Sequence, residues 1–307
     1  IPFIALYNGG AAVFRAMGNS EVSMKVSLLM NAINVSGNAI LIYGFHCGTE
    51  GVAIPTLVSR FVAAFIIIKL LLKDKWSLHL ERTFRFNPDW SMIRKILSVG
   101  IPNGLENSMF QLGKVLVLSL VSTFGTYAIA ANAVSNVITL FSILPGQAIC
   151  LAVTTVIARC VGAGDYEQAK YYNKKLILLT HIGMAITIFI VFITLPFILK
   201  VYNLSEAASE ATRHIIWFHG CCAILIWAES FTLPATFRAC GDAKACMIIS
   251  TVSMWIFRVG ASYILGKNLG LGVFGVWVAM IIDWAFRSLL FGIRYFSGKW
   301  KKHALVS

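Results

Sequence analysis

Of the thirteen acidic residues in this 307-residue chain, Glu106, Glu229 and Asp283 fall inside long apolar runs, and the other ten lie in polar loops or at their edges. A carboxylate at bilayer depth costs at least about 2.5 to 3.5 kcal/mol, so its presence asks for a use. Reversible binding of H⁺ or Na⁺ is one such use, because the ion neutralises the acid in one state and leaves it in another. Glu106 follows Pro102 by four residues, on a stretch where Asn103, Asn107, Gln111 and Lys114 project within a sector of about 140° at helical spacing. The alternative for Glu106 is a fixed ion pair with Lys114 or another residue of the same lobe; Lys114 lies about 12 Å along the helix axis, too far for easy pairing. Glu229 lies five residues before Pro234, whose missing N–H can open backbone polar groups near the acid. Its alternative is an acid satisfied by a Ser or Thr hydroxyl or by His219. Asp283 has Arg287 at i+4, the spacing of a structural ion pair. Together the three acids are candidates for a shared Na⁺ or for H⁺. Asn31, Asn34 and Asn38 share a helical face, which suits either a substrate-facing stripe or hydrogen bonding between helices.

Other chemistries find little support. His181, His214 and His219 lack metal-ligand spacing, and the turn at Gly162 to Gly164 lacks the Lys-Ser/Thr of a phosphate loop. Neither a paired-Asp motif nor His-Glu-x-x-His occurs, so an integral membrane enzyme is a weak reading and no cofactor beyond a coupling ion is expected. The seven cysteines show no zinc-type or disulfide-type pairing in their spacing and read as small buried hydrophobes.

The elements that must position these acids are membrane helices. With 58% hydrophobic and 13% charged residues, and a mean hydropathy of +0.78, the chain reads as a polytopic membrane protein of the all-α class. Nine spans are expected, at about 1–14, 22–45, 51–72, 96–122, 127–157, 175–199, 213–237, 245–265 and 274–296. The net charge of +13 is spread between apolar runs rather than gathered on one hydrophilic face, which argues against a nucleic-acid partner. Eighteen of the 26 Lys and Arg residues fall on one side of the expected spans, and Lys200, Arg213 and Lys267 on the other. By the positive-inside rule the C-terminus and the linker at 73–95 are cytoplasmic.

An internal repeat organises the spans. Ala12, Phe14-Arg15-Ala16, Gly18, Met24, Ser27, Ile33 and Gly37 return 223 residues later as Ala235, Phe237-Arg238-Ala239, Gly241, Met247, Ser250, Ile256 and Gly260, nine identities in 26 positions. After one inserted residue, Gly48 and Gly51-Val52 match Gly272 and Gly275-Val276. Six spans follow the linker, so a complete repeat has six, and an even number makes the two copies parallel. The expected architecture is two pseudo-symmetric six-helix lobes: the second half of the first lobe at 1–72, the linker at 73–95 and the second lobe at 96–307. Completing the first lobe implies a protein of roughly 430 to 450 residues.

Gly100-Ile101-Pro102, Gly162-Ala163-Gly164-Asp165 with Ala169-Lys170, Phe237-Arg238-Ala239-Cys240-Gly241-Asp242, and Gly275-Val276-Trp277 with Asp283 resemble the multidrug and toxic compound extrusion (MATE) transporters. The resemblance spans essentially the whole chain. It implies export of organic cations and other amphiphilic drugs across the cell membrane, in exchange for Na⁺ or H⁺, by alternating access of two lobes in a monomer. It also implies that Asp283 is the acid of the last family span. Asn38 stands where proton-coupled members of one branch carry Asp, and an amide cannot titrate. A flippase for a lipid-linked precursor shares the two-lobe plan but needs a cationic lumen for its pyrophosphate. The charge count makes the topology testable: a membrane-impermeant cysteine label should reach cysteines placed near Arg82 and Lys301 only from the cytoplasmic side, and one at Ser205 only from outside.

Overall fold

The computed structural model describes residues 1–81 and 88–303. Arg82, Arg85 and Asn87 of the expected linker lie outside the described residues. The chain forms two compact units, 1–87 and 88–307, each all-helical among the described residues.

The first unit holds α1 (Pro2–Ala16), α2 (Ser20–Ala39) and α3 (Glu50–Leu71). Tyr7, Ala11 and Phe14 of α1 pack on Ala63, Ile67 and Leu71 of α3, while Val26 brings α2 onto the same cluster. The second unit holds α4 (Trp90–Ser122), α5 (Thr126–Gly162), α6 (Tyr166–Tyr202), α7 (Glu206–Trp227), α8 (Leu233–Ala239), α9 (Ala243–Ser253) and α10 (Gly272–Phe296). Its core is built on Trp227, Trp277 and Trp284, with a second cluster on Phe237, Phe291 and Trp300. Polar groups start the helices: Asp89 accepts from the amides of Ser91 and Met92, Asp165 from that of Gln168, and Ser205 from that of Ala208. Large apolar side chains cover the outside, with Phe61, Phe65, Phe189, Phe197 and Leu225 all exposed. Lipid is the solvent that surface fits.

Among the described residues seven helical segments are long and apolar enough to cross a membrane, against the nine spans expected. The two that fall short have plain reasons. The α1 helix has only 15 residues, about 22 Å at 1.5 Å per residue. At 33 residues α4 is long enough, but Arg94, Lys95, Glu106 and Lys114 interrupt its apolar sequence.

The two repeat copies fold alike in detail. The amide of Gly18 bonds the carbonyl of Arg15 at 2.9 Å and that of Asn19 bonds Phe14 at 2.9 Å; 223 residues on, Gly241 bonds Arg238 at 3.0 Å and Asp242 bonds Phe237 at 2.9 Å. Gly18 and Gly241 close these turns at φ of +82° and +87°, in the left-handed region where a Cβ is disfavoured. Both copies then run into π-helical backbone, at Ile40–Gly44 and at Met254–Gly260 with Tyr263–Asn268. Both end with an amide reaching back six residues, Cys47 to Leu41 and Leu271 to Leu265. Gly51 and Gly275 sit at the same place in the two copies, against Leu41 and Leu265 respectively.

At Gly275 the neighbour is backbone: an added Cβ would come within 2.8 Å of the carbonyl carbon and oxygen of Leu265. Gly275→Ala should therefore cost about 1 to 3 kcal/mol in a detergent unfolding assay. Gly292→Ala on the same helix, where a Cβ meets nothing within 4 Å, should be neutral or slightly stabilising.

Candidate functional site

Each of the three acids is engaged by a base of its own, all within the second unit. Glu106, on α4, presents both carboxylate oxygens to the same guanidinium nitrogen of Arg238, which donates from Nη2 at 2.8 and 2.9 Å. Arg238 lies in the last turn of the short helix α8, in the Phe-Arg-Ala repeat motif just before the left-handed Gly241 turn. Lys114 is not the partner. Its Nζ lies over the Phe110 ring, 5.1 Å from the centroid.

Asp283, fully buried on α10, accepts at Oδ1 from Arg287 Nε at 3.0 Å and from the Ser253 hydroxyl. Arg287, 2% exposed, also donates to the Ser250 carbonyl at 3.2 Å. This is the i,i+4 pair that the spacing offered, now tied to α9 through Ser250 and Ser253.

Glu229 sits in a π-helical turn, Ala228–Thr232, between α7 and α8. Pro234 explains the turn, since it cannot donate to the carbonyl four residues back and the helix widens rather than breaks. Glu229 Oε1 lies 3.0 Å from His181 Nε2 on α6, and Oε2 is buried with no hydrogen-bond partner. His219, the partner expected among the histidines, is buried instead between the rings of Trp277 and Trp284. His181 is a residue sequence reasoning passed over, and 48 positions separate it from Glu229 with no motif to link them. The other ring nitrogen of His181, Nδ1, lies 2.7 Å from the carbonyl of Ile224. A carbonyl can only accept, so Nδ1 carries a hydrogen. If the imidazole were neutral, Nε2 would then face Glu229 with a lone pair, and a carboxylate oxygen at that distance would repel it. A proton between them removes the conflict, held either as imidazolium and carboxylate or as imidazole and carboxylic acid.

The three acids do not converge. Among the described residues no group of three or more His, Cys, Asp and Glu side chains could hold a metal ion. The acids stand on separate elements, and each faces its own base. The remaining candidates divide. Asn107 donates to the Asn103 carbonyl of its own helix at 2.8 Å, and Gln111 is exposed on α4. In the first unit, Asn34 donates to the Thr56 hydroxyl of α3 at 3.0 Å, and Asn38 to Asn34 at 3.3 Å. The first bond ties α2 to α3 and the second lies within α2, and Asn38 Oδ1 is left without a partner. Lys114 lines a cavity of about 250 Å³ together with Asn132, Asn136, Arg258 and Trp277. If the Glu106–Arg238 pair is fixed, Glu106→Gln strands a mostly buried guanidinium and should lower stability in detergent by about 3 kcal/mol. Glu106→Gln with Arg238→Gln should recover much of that loss.

Comparison with known proteins gives a consistent picture. The MatE family model matches residues 102–264, more than half of the chain. A probable multidrug resistance protein NorM of Thermotoga maritima is 27% identical over 302 residues, covering 97% of this chain and 64% of its own length. The uncharacterized transporter YisQ of Bacillus subtilis is 26% identical over 298 residues, covering 94% of this chain and 64% of its own. This chain thus spans a little under two thirds of those relatives. Two solved structures share the fold: an outward-facing multidrug resistance MATE family transporter, at a TM-score of 0.87 and 20% identity, and a MATE in the bent conformation, at 0.85 and 21%. They match 96% and 98% of this chain, and 66% and 67% of their own lengths. By the family model and by the fold on which its charged pairs are built, the chain is a multi-pass membrane protein of the MatE family.

Proposed function

We propose that the chain functions as a secondary transporter that exports small organic molecules from the cell in exchange for H⁺, by alternating access, with its C-terminus in the cytoplasm. Organic cations are the cargo that the family resemblance implies, and the names of the relatives point to drug efflux. The observation that carries the proton is the His181–Glu229 contact. With Nδ1 committed to Ile224, the remaining contact accommodates one proton, and the unpartnered Glu229 Oε2 gives the acid a reason to rearrange once that proton leaves. An imidazolium at this place would also repel Na⁺. Glu106 and Asp283 differ in their partner, a guanidinium, which keeps its charge at any physiological pH. They position α4, α8, α9 and α10 while the histidine pair titrates.

One observation favours a second reading, a flippase for a lipid-linked precursor. The cavity beside Lys114 and Arg258 is cationic, as an anionic headgroup would require. Both readings leave the chain a transporter in the lipid bilayer, acting as a monomer. Dye efflux from proteoliposomes holding the full-length protein separates the couplings. An imposed pH gradient should drive efflux, an imposed Na⁺ gradient at equal pH should not, and His181→Gln should reduce the pH-driven rate about tenfold or more with insertion unchanged. Sodium-driven efflux, or a His181→Gln variant that still follows the pH gradient, would refute proton coupling at this pair.

A further inference from the structure

Among the described residues, the second unit holds two cations without an ion pair of their own. Among the described residues, neither the Lys114 ammonium nor the Arg258 guanidinium makes a hydrogen bond or ion pair to a side chain or carbonyl. Both stand over Phe110, at 5.1 and 5.3 Å from its ring centroid. A third cation, Arg287, approaches the same ring at 5.2 Å, but its charge is balanced by Asp283. Three cations and one acid around a single ring leave the cluster with two positive charges in excess. A cavity of about 250 Å³ opens on Lys114 and Arg258.

The rest of the wall is polar in a one-sided way. Asn132 Oδ1 accepts from the indole of Trp277 at 3.1 Å, which turns its amide nitrogen toward donating. Counting Lys114, Arg258 and Asn132, the cavity offers more hydrogen-bond donors than acceptors. Asn136 is the exception, since its Nδ2 is committed to the Asn132 carbonyl at 2.7 Å and its oxygen stays free. We propose that this cavity is an anion site, taking the carboxylate or phosphate of a small aromatic molecule whose ring lies beside Trp277.

The physical case rests on what each cargo would meet. An ammonium ligand would face two like charges, and the Phe110 face that could have held it by cation–π attraction is already taken by the protein's own cations. An oxyanion would meet Lys114 as a point charge and Arg258 as a planar fork, the geometry that suits carboxylate and phosphate. Charge of one sign in the wall selects between ligands of one shape. The volume suits one ring with its acid group and is small for a multi-ring drug. Arg258 stands on a π-helical segment whose backbone is tied by the Ser262 hydroxyl to the Arg258 carbonyl.

This inference rests on the transport reading only in making the ligand a cargo, and its test needs no gradient. Radiolabelled benzoate is bound to the purified full-length protein in detergent, with benzylamine and benzamide as competitors of the same shape that are cationic and neutral. Benzoate should bind saturably, and neither competitor should displace it. Lys114→Gln and Arg258→Gln should each weaken binding about tenfold or more. Arg258→Lys, which keeps the charge but loses the fork, should bind more tightly than Arg258→Gln and more weakly than the unaltered protein, which separates loss of charge from loss of fold. Displacement of benzoate by benzylamine, or unchanged affinity in both Gln variants, would overturn the proposal. Failure here would leave proton-driven efflux of another cargo possible, and failure of proton coupling would leave benzoate binding as it stands.

Discussion

Hydrocarbon supplies no hydrogen bonds, and that lack governs this structure. Backbone groups must be satisfied inside the chain, so the described spans are helical, and ionisable side chains at membrane depth need a partner from the protein itself. Glu106, Glu229 and Asp283 meet the demand with Arg238, His181 and Arg287. The bases differ in kind: one guanidinium joins α4 to α8, another is bonded within α10 and to the Ser250 carbonyl of α9, and the third base is an imidazole, which can give its proton up.

The helical backbone is widened at the places where charge is handled. Glu229 occupies one π-helical turn and Arg258 another, and both copies of the internal repeat end their middle helix in π-helical backbone. Such turns cost hydrogen-bond quality but displace a side chain from the regular helical face. For Glu229 the cause is Pro234, and the consequence is a carboxylate aimed at α6 instead of along its own helix. The repeat thus carries more than a topology. Its left-handed glycine turns and six-residue backbone bonds recur at matching positions. In the second copy the arginine of the shared Phe-Arg-Ala motif, Arg238, takes on the further task of pairing with Glu106.

Charge in the second unit is uneven, and that bears on cargo. Export of organic cations is an expectation drawn from family resemblance, while the cavity at Lys114 and Arg258 is read from side chains in positive excess around Phe110. The two statements differ in kind. A shared fold carries many substrates, and selectivity lies in the few residues that face the ligand.

By itself the sequence determined the class of solvent, the helical architecture, the repeat and the three acids that need explaining. These follow from local composition and from periodicity, which are written in consecutive residues: a long apolar run needs lipid, and a carboxylate within it needs a partner. It also offered the Asp283–Arg287 pair, because i,i+4 neighbours meet on any helix. The span count came out higher than length and apolarity support, since α4 mixes charge into its span and α1 is short. Only the tertiary structure decided the other partners. Glu106 and Arg238 are 132 positions apart, and His181 and Glu229 are 48 apart, so their meeting depends on how α4, α6 and α8 pack and on a π-helical turn that no local pattern announces. The same packing leaves Lys114 and Arg258 unpaired around Phe110, a charge excess that is visible only when residues distant in the chain share one ring.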